Sequence, residues 1–232
     1  MISNFFIAGT DTNVGKTLIA GALLNYLNNL GKKTLAFKPV STGCQEISDE
    51  LRNQDAVGLA AIASLKIPYP EINPVAFKEP IAPHIAAEKL GTKITLTHLI
   101  EDYNKSKNYS SDHVIVEGAG GWRVPINNKQ YMSDFVKVAN IPVILVVGMR
   151  LGCINHGLLT YEAIQKDGIK LAGWVANIID PKMLVVEENI VCLKNRINAP
   201  LLGTVPYNKN INFKKASEYL DFSIVIPAEA GI

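Results

Sequence analysis

Six short, mostly apolar runs rich in β-favouring residues alternate along this chain with segments of helical spacing. "FFIAG" is followed by "KTLIAGALLNYLNNL", "TLAFKPV" by "DAVGLAAIASL", "HVIVEGAGG" by "MSDFVKVAN", "PVILVVG" by "NHGLLTYEAIQKDG" and "LAGWVAN" by "VEENIVCLKNRI"; "LLGTVP" closes the series. A strand with no polar alternation has both faces buried, and helices between such strands supply the cover. The pattern predicts an α/β fold: a doubly wound, mainly parallel sheet with helices on both faces. With 232 residues and 48% hydrophobic content, one domain spanning residues 1–232 is expected. Residues 65–93, carrying Pro68, Pro70, Pro74, Pro80 and Pro83, read as a long irregular connection within it.

Charge excludes some partners. A net charge of +2, without any block of five like charges, leaves no electrostatic footprint for nucleic acid or an anionic membrane. Cys44, Cys153 and Cys192 are odd in number and far apart, so neither a disulfide framework nor a zinc site is expected. No signal-peptide pattern opens the chain and no apolar stretch is long enough for a membrane span. A cytoplasmic protein acting on small molecules is the expectation.

In a sheet of this kind ligands gather beyond the carboxyl ends of the strands. After the first run comes "GTDTNVGKT". Free backbone amides at a helix start favour phosphate, Gly15 allows close approach, Lys16 reaches the terminal phosphates and Thr17 offers a hydroxyl to Mg²⁺. In the spacing GxxxxGK[ST] the first glycine would fall at Thr10; Gly9 precedes it by one residue, so the loop is a lengthened or shifted version. After the third run, Glu117 followed by Gly118, Ala119, Gly120 and Gly121 combines a carboxylate for a metal with room for a triphosphate; capping of the next segment is the other reading of Glu117. Asp55 is explained equally by metal binding and by helix capping. Lys38, before Pro39, Ser41, Thr42 and Gly43, places a cation and two hydroxyls in a short turn on the same edge.

The fourth run leads into Gly152, Cys153, Ile154 and Asn155, free amides at a helix start suited to a carboxylate or phosphate, with Asn155 equally explained as an N-cap. Cys153 lacks an evident base and reads as packing; His84 and His156 read as structural. Asn177 could pair with a purine edge, and Pro206, Tyr207 and Asn208 could wall the same base.

Taken together, "GTDTNVGKT", "KPVSTG", "RNQDA", "NPVAF", "EP", "PH", "VEGAGGW", "PVILVVG", "LGCINH", "AGWVAN" and "APLLG.VP", in this order from about residue 3 to 208, resemble the dethiobiotin synthetase family, with its P-loop NTPase-like fold. The resemblance implies a homodimer that converts 7,8-diaminopelargonate, CO₂ and MgATP into dethiobiotin, ADP and phosphate, through a carbamate and a carbamic-phosphoric anhydride. It implies that Asn13, Val14, Gly15, Lys16, Thr17 and Leu18 wrap the phosphates and that Thr17, Asp55 and Glu117 serve Mg²⁺. Lys16 and Lys38 would offset charge on the reacting oxygens. Thr42 would contact substrate, and Glu117, Gly118, Ala119 and Gly120 would line the cleft. Asn177, Ile178, Pro206, Tyr207 and Asn208 would hold adenine. Gly152, Cys153, Ile154 and Asn155 would receive the substrate carboxylate across the dimer.

Two positions depart from the family's pattern: Asn13 stands where an acid also occurs, and Thr42 where serine does. Residues 180–190 and those after 208 have no assigned role. The chief rival, a deviant-loop ATPase switch, normally carries an extra lysine early in the loop, and no lysine precedes Lys16. A guanine-reading NKxD is missing too: "YNKNI" lacks its aspartate.

Overall fold

The computed structural model describes residues 4–226; the outermost residues of the expected 1–232 unit lie outside them. In chain order the elements begin with β1 (Phe5–Gly9), α1 (Lys16–Asn29), β2 (Thr34–Phe37), β3 (Val40–Ser41), β4 (Gln45–Ile47), β5 (Glu50–Arg52) and α2 (Gln54–Ile62). Next come α3 (Tyr69–Ile72), β6 (Val75–Ala76), α4 (Pro83–Lys89), α5 (Leu96–Ser106), β7 (His113–Glu117) and α6 (Met132–Ala139). The chain finishes with β8 (Val143–Met149), α7 (Cys153–Lys166), β9 (Leu171–Ile178), α8 (Val186–Lys194), β10 (Leu201–Val205) and α9 (Phe213–Ser217).

Six strands form one sheet in the order β10-β9-β8-β1-β7-β2, and every neighbouring pair is parallel. Alternate residues along β1 serve opposite faces, as strand geometry requires. Phe6 and Ala8 join one apolar cluster with Leu99 and Tyr103 of α5, Phe135 and Val136 of α6, Ile164 of α7 and Leu193 of α8. Phe5 and Ile7 join the other with Ile19, Leu23 and Leu27 of α1, Leu59 of α2 and Ala216 of α9. Burial on both faces explains the uninterrupted apolar runs, and the doubly wound sheet is the one those runs predict.

Between β2 and β7 the chain departs from the expectation. Pro39 has no N–H to donate, and the β2 ladder stops at Phe37. The chain then forms the β4–β5 hairpin, turned by Ser48 and Asp49 at positive φ of 51° and 64°. Residues 65–93 are less irregular than their prolines suggest. Pro70 and Pro83 sit in the first turns of α3 and α4, where a missing N–H is harmless. In β6, Val75 and Ala76 pair with Val40 and Ser41 of β3 in a small parallel sheet. Helix α5 was not among the predicted elements, although Leu96, Leu99, Ile100 and Tyr103 share one face and Thr95 caps it by accepting the His98 N–H at 3.3 Å.

Candidate active site

Strands β1 and β7 lie side by side, yet their exits diverge: β1 leads through α1 to β2 on one flank, and β7 through α6 to β8 on the other. Such a switch point opens a crevice at the strands' carboxyl ends. Here it is a cleft of about 880 Å³. One wall is the loop after β1, with Thr12, Asn13, Gly15, Lys16 and Thr17; the floor holds Lys38 and Glu117, followed by Gly118, Ala119 and Gly120. Thr42, Asp55 and residues 80–83 close the far side. Lys16, Thr17, Lys38, Thr42, Asp55 and Glu117, picked from separate stretches of sequence, therefore share one cavity.

The loop after β1 is tied down from both ends. Thr10 N–H donates to the Val146 carbonyl at 3.0 Å, and Asn177 Nδ2 donates to the Val14 carbonyl at 2.8 Å. Asn13 adopts a left-handed φ of 59°, which asparagine tolerates. Gly15 is required twice over: its φ is 95°, and a Cβ there would run into Asn177 Nδ2. At the mouth of α1, Lys16 folds back so that Nζ donates to the Asp11 carbonyl at 3.0 Å. Burial away from water lowers its pKa from 10.5 to about 8, against the upward pull of Glu117 and with a further push down from Lys38. Asp11 is held from outside by Arg150, whose Nη2 lies 2.6 Å from Oδ2.

The centre of the site is a compact charge cluster. Glu117, only 1% exposed, accepts through Oε1 from Thr17 Oγ1 at 2.8 Å and pairs through the same oxygen with Lys38 Nζ at 3.0 Å. Lys38, 5% exposed, also lies 3.6 Å from Asp55 Oδ2, while the Asp55 side chain is 50% exposed. A buried pair of this kind recovers its desolvation cost only if its remaining lone pairs are used. Glu117 Oε2 is buried and lacks a hydrogen-bond partner among the described residues. An unsatisfied carboxylate oxygen beside the Thr17 hydroxyl is a hard donor set suited to a small divalent cation.

The remaining predicted residues sit elsewhere. Val14 is buried beneath the loop and Leu18 is partly buried on the α1 face of the core. Asn177 is buried with its amide nitrogen committed to the loop, and Ile178 ends β9. Half-buried Pro206 and exposed Tyr207 and Asn208 follow β10. Asn177 touches the loop, and Ile178 and residues 206–208 stand at the same carboxyl edge of the sheet; none of them lines the cleft. Gly152, at φ 93°, is the N-cap of α7 and has no side chain to cap with; Asn155 is an exposed residue inside the helix and does not cap it. Cys153 is 1% exposed and burial raises its thiol pKa, which fits packing. For α2 the N-cap is Asn53, accepting the Ala56 N–H at 3.2 Å, so Asp55 is free to project toward Lys38. Ser41, one of the two hydroxyls read beside Lys38, also lines the cleft, whereas the sequence reading missed Asn53, Arg123 and the 80–83 turn; an Asn three residues before a helical amide was the available signal for Asn53.

Residues 3–215 match the family model described as AAA domain. The chain is 48% identical over 202 residues to the ATP-dependent dethiobiotin synthetase BioD of Pseudomonas paraeruginosa, covering 87% of this chain and 89% of that protein. Against the protein of the same name from Cellvibrio japonicus it is 47% identical over 224 residues, 97% of this chain and 98% of the other. The chain belongs to the dethiobiotin synthetase family. Wigglesworthia glossinidia brevipalpis supplies a further relative of that name, 42% identical over 227 residues, 97% of this chain and all of its own length. Among solved structures, the Aquifex aeolicus MinC:MinD cell division complex superposes with a TM-score of 0.58 at 15% identity, over 96% of this chain and 92% of that one. Pyrococcus horikoshii MinD gives 0.56 at 14%, over 98% and 90%. At such identities these two establish the P-loop fold and nothing about activity.

Proposed function

We propose that this chain is an ATP-dependent cyclo-ligase that closes 7,8-diaminopelargonate and CO₂ into the cyclic urea dethiobiotin, releasing ADP and phosphate. The observation that carries the reading is the convergence of Lys16, Lys38, Thr17 and Glu117 at the mouth of α1, in a chain whose family members bear that name. One amine adds to CO₂ and loses a proton to solvent, giving a carbamate. A carbamate oxygen displaces ADP from the γ-phosphorus, and the second amine then attacks the anhydride carbon, losing a proton to solvent as it expels phosphate and closes the ring.

Each step moves negative charge that fixed cations must meet. Residues 13–18 wrap the phosphates through the free amides of α1, and bound phosphate would offset the cost of burying the Lys16 ammonium. Lys38 faces the carbamate and the transferring phosphoryl group, and Thr42 holds the diamine beside it. The metal would be Mg²⁺, held by Thr17, Glu117 and Asp55. Among the described residues no three His, Cys, Asp or Glu side chains form a protein cage; a hydroxyl with two carboxylates is the partial set that Mg²⁺ completes with phosphates and water. Bound there, it would neutralise charge between the β- and γ-phosphates. Asn177, Ile178, Pro206, Tyr207 and Asn208 flank adenine, with the Asn177 carbonyl side the part not spent on Val14. Gly152, Cys153, Ile154 and Asn155 of a second copy take the substrate carboxylate, which makes the working unit a homodimer of single-domain subunits. Among the described residues no helix is long and apolar enough to cross a membrane, and a cytoplasmic location without a nucleic-acid partner completes the reading.

Incubation with ATP, Mg²⁺, bicarbonate and the diamine tests it. A product with the mass of the cyclic urea, formed with phosphate only when all four are present, is expected. Phosphate release that ignores the diamine overturns it.

A further inference from the structure

Lys38 leaves β2 just before Pro39, where the main ladder ends, so something else must hold its backbone. The two-pair ladder of β3 with β6 is too short to do so by itself. Lys38 N–H donates to the Ile72 carbonyl at 2.8 Å, and the Lys38 carbonyl accepts from Asn73 Nδ2 at 2.7 Å. Asn73 is 3% exposed. Its Oδ1 accepts from Ser41 Oγ at 2.7 Å and from the Tyr69 hydroxyl at 3.1 Å.

The hydroxyl of Tyr69 donates its one hydrogen to Asn73 and accepts the Asn53 N–H at 2.7 Å. Burial raises the phenol's pKa, so it stays a donor. Asn53 caps α2, the helix that carries Asp55, and its Nδ2 reaches the Thr42 carbonyl at 3.3 Å. A buried relay thus joins the backbone of Lys38 to Ser41, Thr42 and the start of α2. Neither Asn73 nor Tyr69 lines the cleft.

We propose that Asn73 and Tyr69 are positioning residues for the ring-closing reaction, setting where Lys38 Nζ stands relative to Glu117. Buried networks in which every group is satisfied rigidify what they hold. Misplacing a reacting group by about 1 Å costs up to about 10²-fold in rate. The inference rests on the function proposed above.

The test uses Asn73→Ala, Tyr69→Phe, Lys38→Ala and the Asn73→Ala/Lys38→Ala pair in the full chain. Both network variants should lower kcat by about 10- to 10²-fold while ATP affinity stays within about threefold. The double variant should be no worse than Lys38→Ala alone, because the effect of Asn73 runs through Lys38. Wild-type kcat in Tyr69→Phe, ATP affinity falling in step with turnover, or additive losses in the double variant would each overturn the proposal. If Asn73→Ala does not fold, Tyr69→Phe, which removes one oxygen atom, decides.

A second readout needs no turnover. Amine acylation followed by peptide mass analysis should label Lys38 up to about tenfold faster in Tyr69→Phe, as its side chain, 5% exposed in the wild type, opens more often to reagent, with Lys16 unchanged. Equal labelling overturns the inference. Wild-type protein that forms no cyclic urea refutes the proposed function alone, and labelling then decides whether Asn73 and Tyr69 hold Lys38.

Discussion

Replacing Lys16 by Met should make the nucleotide-free protein more stable at neutral pH. The ammonium is buried with its pKa lowered from 10.5 to about 8, a difference equivalent to roughly 3 kcal/mol against the charged form. The sign follows from proton counting. Below pH 8 folded and unfolded chains both carry the charge, so the full burial cost is present. Between about 8 and 10.5 the unfolded chain holds a proton that the folded one has shed, and stability rises with pH. Met fills the same volume without charge but forfeits the bond to the Asp11 carbonyl, worth about 1 kcal/mol. The net gain at pH 7 should be about 2 kcal/mol, shrinking by about 2 kcal/mol on moving to pH 9.5. Urea unfolding of both proteins at the two pH values, without nucleotide, measures the difference directly. A Met variant less stable than wild type at pH 7, or a difference that does not change with pH, refutes the reasoning that burial of the Lys16 ammonium costs stability.

Lys38→Ala should lower kcat by about 10²- to 10³-fold, the usual loss of a preorganised charge stabiliser, with ATP affinity by calorimetry nearly intact. Glu117→Gln should retain the fold by circular dichroism yet require at least about tenfold more Mg²⁺ for half-maximal turnover, since a charged ligand becomes neutral. Gly15→Ala should cost about 1 to 3 kcal/mol of stability, because a left-handed backbone and contact with Asn177 are both imposed on a Cβ, and should abolish ATP binding in the same titration. Chelation of divalent cations should stop phosphate release while leaving the melting temperature of nucleotide-free protein unchanged within about 1 °C, since on the proposed reading the metal binds together with the nucleotide.

The parts of the site legible in sequence are those set by position on a strand. Lys38 and Glu117 each stand just past the apolar part of their strands, and Lys16 opens a helix after another, so topology alone brings them to one rim. Asp55 was not legible while Asn53 went unread, because an acid near a helix start is as good a cap as a ligand; the structure gives the cap to Asn53 and leaves Asp55 free. The relay through Asn73, Tyr69 and Asn53 was invisible because its bonds span 35, 4 and 16 residues, and each member alone resembles a turn or helix-end residue. Prolines misled over residues 65–93, since the same residue that breaks a helix also starts one. Helix α5 carried its signal openly in the spacing of Leu96, Leu99, Ile100 and Tyr103.

The cleft has two walls of different origin. The loop after β1 and the exit of β7 belong to the sheet; Thr42, Asp55 and residues 80–83 come from the excursion between β2 and β7, and Lys38 stands at the joint. On the proposed roles, the phosphate-wrapping residues 13–18 and Thr42 beside the diamine come from separate stretches of chain, with Asp55 reaching across from the second to the metal. Recasting residues 40–52 and 80–83 while keeping Asp55 would, on those roles, leave the phosphate and metal residues where they are and change only what stands beside Lys38.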